Sequence, residues 1–90
     1  MEVFLVYAET YDVWENTQVD YVLEVFASLS AAEHACEVQA ELMCRDFSRC
    51  GYEASKAVDE YGNIVVRKHL RGELLEEVTF TVERRIVADL

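Results

Sequence analysis

The sequence predicts an α+β domain of two layers, one helix packed on a mostly antiparallel sheet, with the elements in the order ββαβββ. Three observations lead there. β-branched and aromatic residues concentrate near both ends of the chain, in VFLVYA (3–8) and VTFTVERRI (78–86). Between them one long segment, residues 28–50, repeats its apolar positions at helical spacing. After Gly51 a period of two returns. A single helix between groups of strands has one place to bury its apolar stripe, a face of the sheet.

The unbroken apolar run 3–8 fits a strand buried on both faces, hence one inside the sheet. Residues 21–27 read as the second strand, with Tyr21, Leu23 and Val25 on one face and Val22, Glu24 and Phe26 on the other. The stretch joining them, AETYDVWENTQVDY (8–21), holds neither Gly nor Pro, which argues for a wide loop or a longer, frayed ribbon over a two-residue turn. Ser30-Ala-Ala-Glu33 has the capping-box pattern of a helix start, with Ser28 as a rival N-cap. Leu29, Ala32, Cys36, Met43 and Phe47, with Ala35, Ala40 and Leu42 beside them, form the apolar stripe, and Gly51 closes the helix. Residues 52–58 and 64–68 follow as strands around DEYGN, where Gly62 and Asn63 tolerate positive φ. Arg71-Gly72 is a turn, ELLEE is a helical turn or a bulged strand, and residues 78–87 alternate as a last, half-exposed strand.

Ninety residues, 52% hydrophobic and 11% aromatic, make one domain (1–90) with a small core. Met1 is followed directly by Glu2, with no basic n-region and no cleavage site, and the longest apolar run is too short to span a bilayer. The expectation is a soluble, intracellular protein of the cytoplasm. Cys36, Cys44 and Cys50, odd in number and irregular in spacing, are expected as reduced thiols.

Those cysteines, with His34 and His69, lack the close ligand pairs that structural zinc requires, so no metal is expected. Asp12, Glu15, Asn16 and Asp20 miss the alternate spacing and the glycine of an EF-hand loop. No phosphate-binding glycine loop, nucleophile elbow or His-Glu-x-x-His pair is present. Eighteen carboxylates always permit an acid/base pair on paper, yet one helix on one sheet offers little enclosed volume to tune one. The chain is read as a non-enzyme without a cofactor.

The charge is more telling. Residues 1–44 hold nine acids and no Lys or Arg; residues 45–90 hold nine acids and eight bases, so −9 and −1 make up the net −10. Such a field repels nucleic acid and anionic membrane and attracts basic protein surfaces. Two groups of acids stand out: Glu9, Asp12, Glu15 and Asp20 around Trp14, and Glu33, Glu37 and Glu41, which at i, i+4, i+8 share one helix face despite mutual repulsion. Together these eight residues are the candidate protein-binding site. If the groups adjoin in space, they form a carboxylate array that mimics a phosphate backbone, with Trp14, Tyr7, Tyr11 and Tyr21 as anchors. The late bases Arg67, Lys68, Arg71, Arg84 and Arg85 alternate with acids and are expected to pair across strands.

EVFLVYAETYD at the N-terminus, VLEVFASLSAAEHA running from strand into helix, and EVTFTVERRIVAD as the last strand resemble short proteins encoded by phages and mobile elements. Some of these inhibit host defence, the anti-CRISPR proteins among them, and are small, acidic and non-enzymatic. The resemblance implies an inhibitor of a host nucleic-acid-binding complex that docks on a basic surface; no catalytic residue carries over. Against that layout, residues 59–77 are long, and the bases after residue 44 make the chain half a polyanion. A structural or regulatory interaction module, alone or as a homodimer and acidic for solubility, is the alternative.

Overall fold

The apolar run at the start of the chain is paired on both sides. In the computed structural model, which describes residues 1–88, β1 (Glu2–Asp12) lies between β2 (Thr17–Phe26) and β5 (Glu73–Ile86). β4 (Ile64–Leu70) and β3 (Glu53–Val58) complete a five-stranded sheet in the order β2-β1-β5-β4-β3, every pairing antiparallel. The helix α1 (Leu29–Arg49) covers one face, giving the α+β architecture and the ββαβββ order expected. The last two residues of the expected 1–90 domain, with the end of EVTFTVERRIVAD, lie outside the described residues.

The core follows from the two periodicities. Phe4, Val6 and Ala8 of β1, Val78 and Phe80 of β5 and Val66 of β4 recur every second residue and point at α1. Ala32, Cys36 and Ala40 recur every fourth on the helix, and their small size lets the helix backbone sit close to the sheet. Phe26, Ala35, Met43, Cys44, Phe47, Ile64 and Val82 pack around this cluster. Each large side chain buried there contributes about 1.5–3 kcal/mol. Leu29 and Leu42, expected in the stripe, are instead about half exposed.

The ends of α1 show why the helix starts and stops where it does. Ser28 is the N-cap, in extended conformation, its Oγ accepting from the Ala31 N–H at 3.1 Å. Ser30 therefore lies inside the first turn, and the expected Ser30/Glu33 capping box does not form. At the other end Gly51 (φ 89) takes the left-handed position after the Cys50 cap; its N–H reaches the Ser48 carbonyl and the Tyr52 N–H reaches the Phe47 carbonyl, a Schellman closure. The Arg71-Gly72 turn has both residues at positive φ, the primed geometry whose twist matches the flanking strands. In DEYGN, only Gly62 takes positive φ; Asn63 does not. Asp59 organises that turn by accepting from the N–H groups of Tyr61 and Asn63.

Two irregularities reset the strand faces. In β1–β2 the register slips between Val6 and Tyr7, leaving Leu23 as the extra residue. Tyr21 therefore pairs with Ala8 on the helix side while Val22 pairs with Tyr7 and Val25 with Leu5 on the other face. The expected grouping of Tyr21 with Val25, and of Val22 with Glu24 and Phe26, is corrected by that one residue. In β4–β5 the slip falls after Lys68, so ELLEE is a bulged strand. Among the described residues no helix is long and apolar enough to cross a membrane.

Candidate protein-binding surface

Of the two forms expected for residues 8–21, a wide loop or a longer ribbon, the structure has the longer ribbon. β1 runs through Glu9 to Asp12 and β2 begins at Thr17, leaving residues 13–16 as the hairpin tip. The longer ribbon forms because β1 has a partner on each side here: Thr10, Tyr11 and Asp12 pair with Val19, Gln18 and Thr17 of β2 and with Val78, Glu77 and Glu76 of β5. At the tip, Asn16 supplies the left-handed residue in place of glycine (φ 52). Asp12 accepts from the Glu15 N–H at 3.0 Å, the Tyr11 hydroxyl donates to Asn16 Oδ1 at 2.6 Å, and the Val13 N–H donates to the Leu75 carbonyl. This scaffold projects Trp14, 71% exposed, into solvent.

Glu9 and Asp20 are direct cross-strand partners. They lie on the sheet face opposite α1, since Ala8 between Tyr7 and Glu9 is buried in the helix-side core. With Tyr7, Thr81 and Glu83 they line a surface cleft of about 360 Å³. The Arg85 guanidinium donates to the Tyr7 hydroxyl at 3.0 Å and pairs with Glu83 at 3.3 Å. Hydrogen bonding to Glu83 holds the Tyr7 hydroxyl above its ordinary range. The neighbouring Tyr7 hydroxyl and then the Arg85 guanidinium hold Glu83 below the ordinary carboxylate range.

The helix stripe lies elsewhere. Glu41 meets Lys56 of β3 at 3.0 Å, with Arg45 at 3.6 Å, and the Lys56 hydrogen bond lowers its carboxyl's pKa. Glu33 and Glu37 flank a cleft of about 380 Å³ whose other walls include Val58 of β3, Tyr61 and Phe80. The stripe thus faces the β3 edge from the helix side, whereas Glu9 and Asp20 sit on the opposite face towards the β2 edge. The structure brings Glu9, Asp12, Trp14, Glu15 and Asp20 together on one ribbon and does not join Glu33, Glu37 and Glu41 to them. One continuous eight-residue array is not formed.

Ion pairing sharpens the asymmetry. Arg67–Glu77 (2.9 Å) and Lys68–Glu76 (3.2 Å) pair across β4–β5, as the alternating charges predict, and Arg84 reaches Glu2 at 3.0 Å. Glu9, Asp12, Glu15, Asp20, Glu24 and Glu33 make no salt bridge among the described residues. Lys68 has a further role that sequence spacing did not signal: its ammonium lies 4.5 Å from the Tyr52 ring centre and 5.1 Å from that of Phe47, closing the space between α1 and β4. Three free thiols are present; burial raises the pKa of Cys36 and Cys44, consistent with packing and not with nucleophilic duty. No group of three or more His, Cys, Asp or Glu among the described residues is placed to hold a metal ion. Compared with known proteins, the chain matches no family model, no curated protein and no solved structure at a significant level.

Proposed function

We propose that the chain is a non-enzymatic binding protein that docks its acidic β1–β2 ribbon on a basic surface of a partner protein. One observation carries the reading: four carboxylates without ion pairs among the described residues, Glu9, Asp12, Glu15 and Asp20, share a hydrogen-bonded hairpin with an exposed tryptophan. A solvated surface that served only solubility would gain by mixing signs, as the β4–β5 half does. Unpaired acids instead keep their full charge for a partner, steering encounter and setting orientation, while Trp14 supplies apolar contact area. Following the resemblance to phage-encoded inhibitors, the partner is a basic groove of a host nucleic-acid-binding complex, and the ribbon occupies the path of a phosphate backbone.

The test is capture of partners from host lysate at low and high salt, with the ribbon variant Glu9→Lys/Asp20→Lys beside the helix variant Glu33→Lys/Glu37→Lys. Expected is a basic protein retained at low salt, released at high salt, lost with the ribbon variant and kept with the helix variant. Retention of no basic protein at low salt opposes the reading.

A second reading, a homodimeric regulatory module, draws on the uncovered sheet face, where Val22, Val25 and Tyr11 are exposed. Light scattering separates the two: a stable dimer at low salt favours it.

A further inference from the structure

We propose that β2 is a docking edge for an extended basic segment of the partner, which adds to the sheet as a sixth strand. This rests on the reading of the chain as an acidic binding protein and specifies how the partner is held.

The two edges of the sheet differ. β3 is six residues long and is tied to the helix by Lys56–Glu41. β2 is ten residues long, and all of it but Phe26 is exposed. Soluble proteins blunt such edges with short strands, proline, charged side chains (lysine above all), β-bulges or cover from a neighbouring element. β2 has no proline and no lysine, and its one interruption is the bulge at Leu23. About half of its backbone N–H and C=O groups point away from β1, forming an unpaired ladder. Val19, Val22 and Val25 are each about half exposed or more along it, so an added strand finds apolar contacts as well as main-chain partners.

Charge selects the occupant. Asp20 and Glu24 belong to β2, Glu9 stands opposite Asp20, Asp12 ends β1 and Glu15 lies at the tip, with no Lys or Arg in residues 1–44. Because the Leu23 bulge puts Asp20 on the face away from α1 and Glu24 on the helix face, a strand alternating Lys or Arg with Val or Ile sets its bases against Asp20, with Glu9 on the strand behind it, the favourable cross-strand arrangement. A second copy of this chain brings its own Asp20 and Glu24 to the same seam and no base, so like charges oppose its pairing there.

The full chain is titrated with a peptide as long as β2 alternating Lys and Val, the same peptide N-methylated at two residues whose N–H groups face β2, and a Glu/Val counterpart. Hydrogen exchange is followed over residues 17–26. Expected is binding of the Lys/Val peptide with protection of β2 amides, and no binding of Glu/Val. The methylated form should lose roughly thirtyfold in affinity, what two ordinary hydrogen bonds contribute. Equal affinity for the methylated form, or binding without β2 protection, overturns the docking edge and leaves the acidic-surface reading standing. Failure of the Lys/Val peptide while polylysine binds at low salt does the same; failure of polylysine as well removes both. Protection of β2 in the protein alone, rising with concentration and with a doubled mass, puts a second copy on the edge and overturns the proposal.

Discussion

Replacing Asp20 with lysine should stabilise the fold while weakening its grip on a basic partner. Asp20 faces Glu9 directly across β1–β2, Glu83 lines the same cleft, and neither Asp20 nor Glu9 has a salt bridge among the described residues. Directly opposed like charges destabilise a strand pair and opposite charges stabilise it, each by about 0.2–1 kcal/mol. Asp20→Lys exchanges one for the other and gives up the surface hydrogen bond from Gln18 Nε2 at 3.1 Å. The net gain is about 1 kcal/mol at low salt, or about 4–8 °C in Tm for a domain of this size. Thermal unfolding by circular dichroism is the assay, at low salt and again in molar salt, where screening should remove most of the gain. Glu15→Lys is the control, because Glu15 sits at the hairpin tip without a cross-strand partner and should leave Tm nearly unchanged. An Asp20→Lys Tm that is unchanged or lower at low salt refutes the reasoning, since it would mean that the pair carries no repulsion.

Three more outcomes follow from particular contacts. Ser28→Ala should cost about 1 kcal/mol in chemical denaturation and Ser30→Ala almost nothing, because only the Ser28 hydroxyl caps α1. Phe80→Ala, at a site 2% exposed in the centre of the core, should cost about 3–5 kcal/mol, a large share of a small domain's stability, and be visible as a collapsed urea midpoint. In a carbon-13 titration Glu41 should titrate below the ordinary glutamate value, and in Lys56→Met move back up towards it. The sign is fixed by the direction of each shift. The depressed Glu41 carboxyl contributes stability above the ordinary glutamate value, lost as pH falls through its folded value. The raised Lys56 ammonium contributes below the ordinary lysine value, lost as pH rises through its own folded value, so the pair is intact across neutral pH.

Local chemistry made much of this fold legible. The run 3–8, the alternation from Val78, the periodic segment ending at Gly51 and the Arg71-Gly72 turn each had one reading that satisfied both backbone and burial, and each stands. What escaped depended on partners distant in sequence. Glu9 and Asp12, poor strand formers, flank Thr10 and Tyr11, and the four are extended because β2 and β5 pair with them from both sides. One extra residue, Leu23, moved Val22 to the other face, a shift that no periodicity signals when the alternation on either side stays intact. Ser28 and Ser30 offered equivalent caps two residues apart, and their order was decided by where the strand ends. For the candidate site, the charge count located both acidic groups. It did not show that they diverge, because that depends on strand order: β2 and β3 are opposite edges only once β5 inserts between β1 and β4.

That insertion of β5 also governs time. The β1–β2, β3–β4 and β4–β5 pairings each close across a short turn, so those hairpins can assemble locally and quickly. The β1–β5 seam is the sheet's one non-local pairing, joining Glu2 to Ile86 and Asp12 to Glu76. Its closure entropy must be met before its contacts return anything, which makes the seam the expected bottleneck of folding. Until it closes, β1 and β5 each present a bare edge rich in valine and aromatic side chains, the period in which the chain is most exposed to wrong partners. Stopped-flow refolding tests this: truncating Val6 or Val82, which face each other across the seam, should slow folding more than truncating Val66 to a similar equilibrium loss.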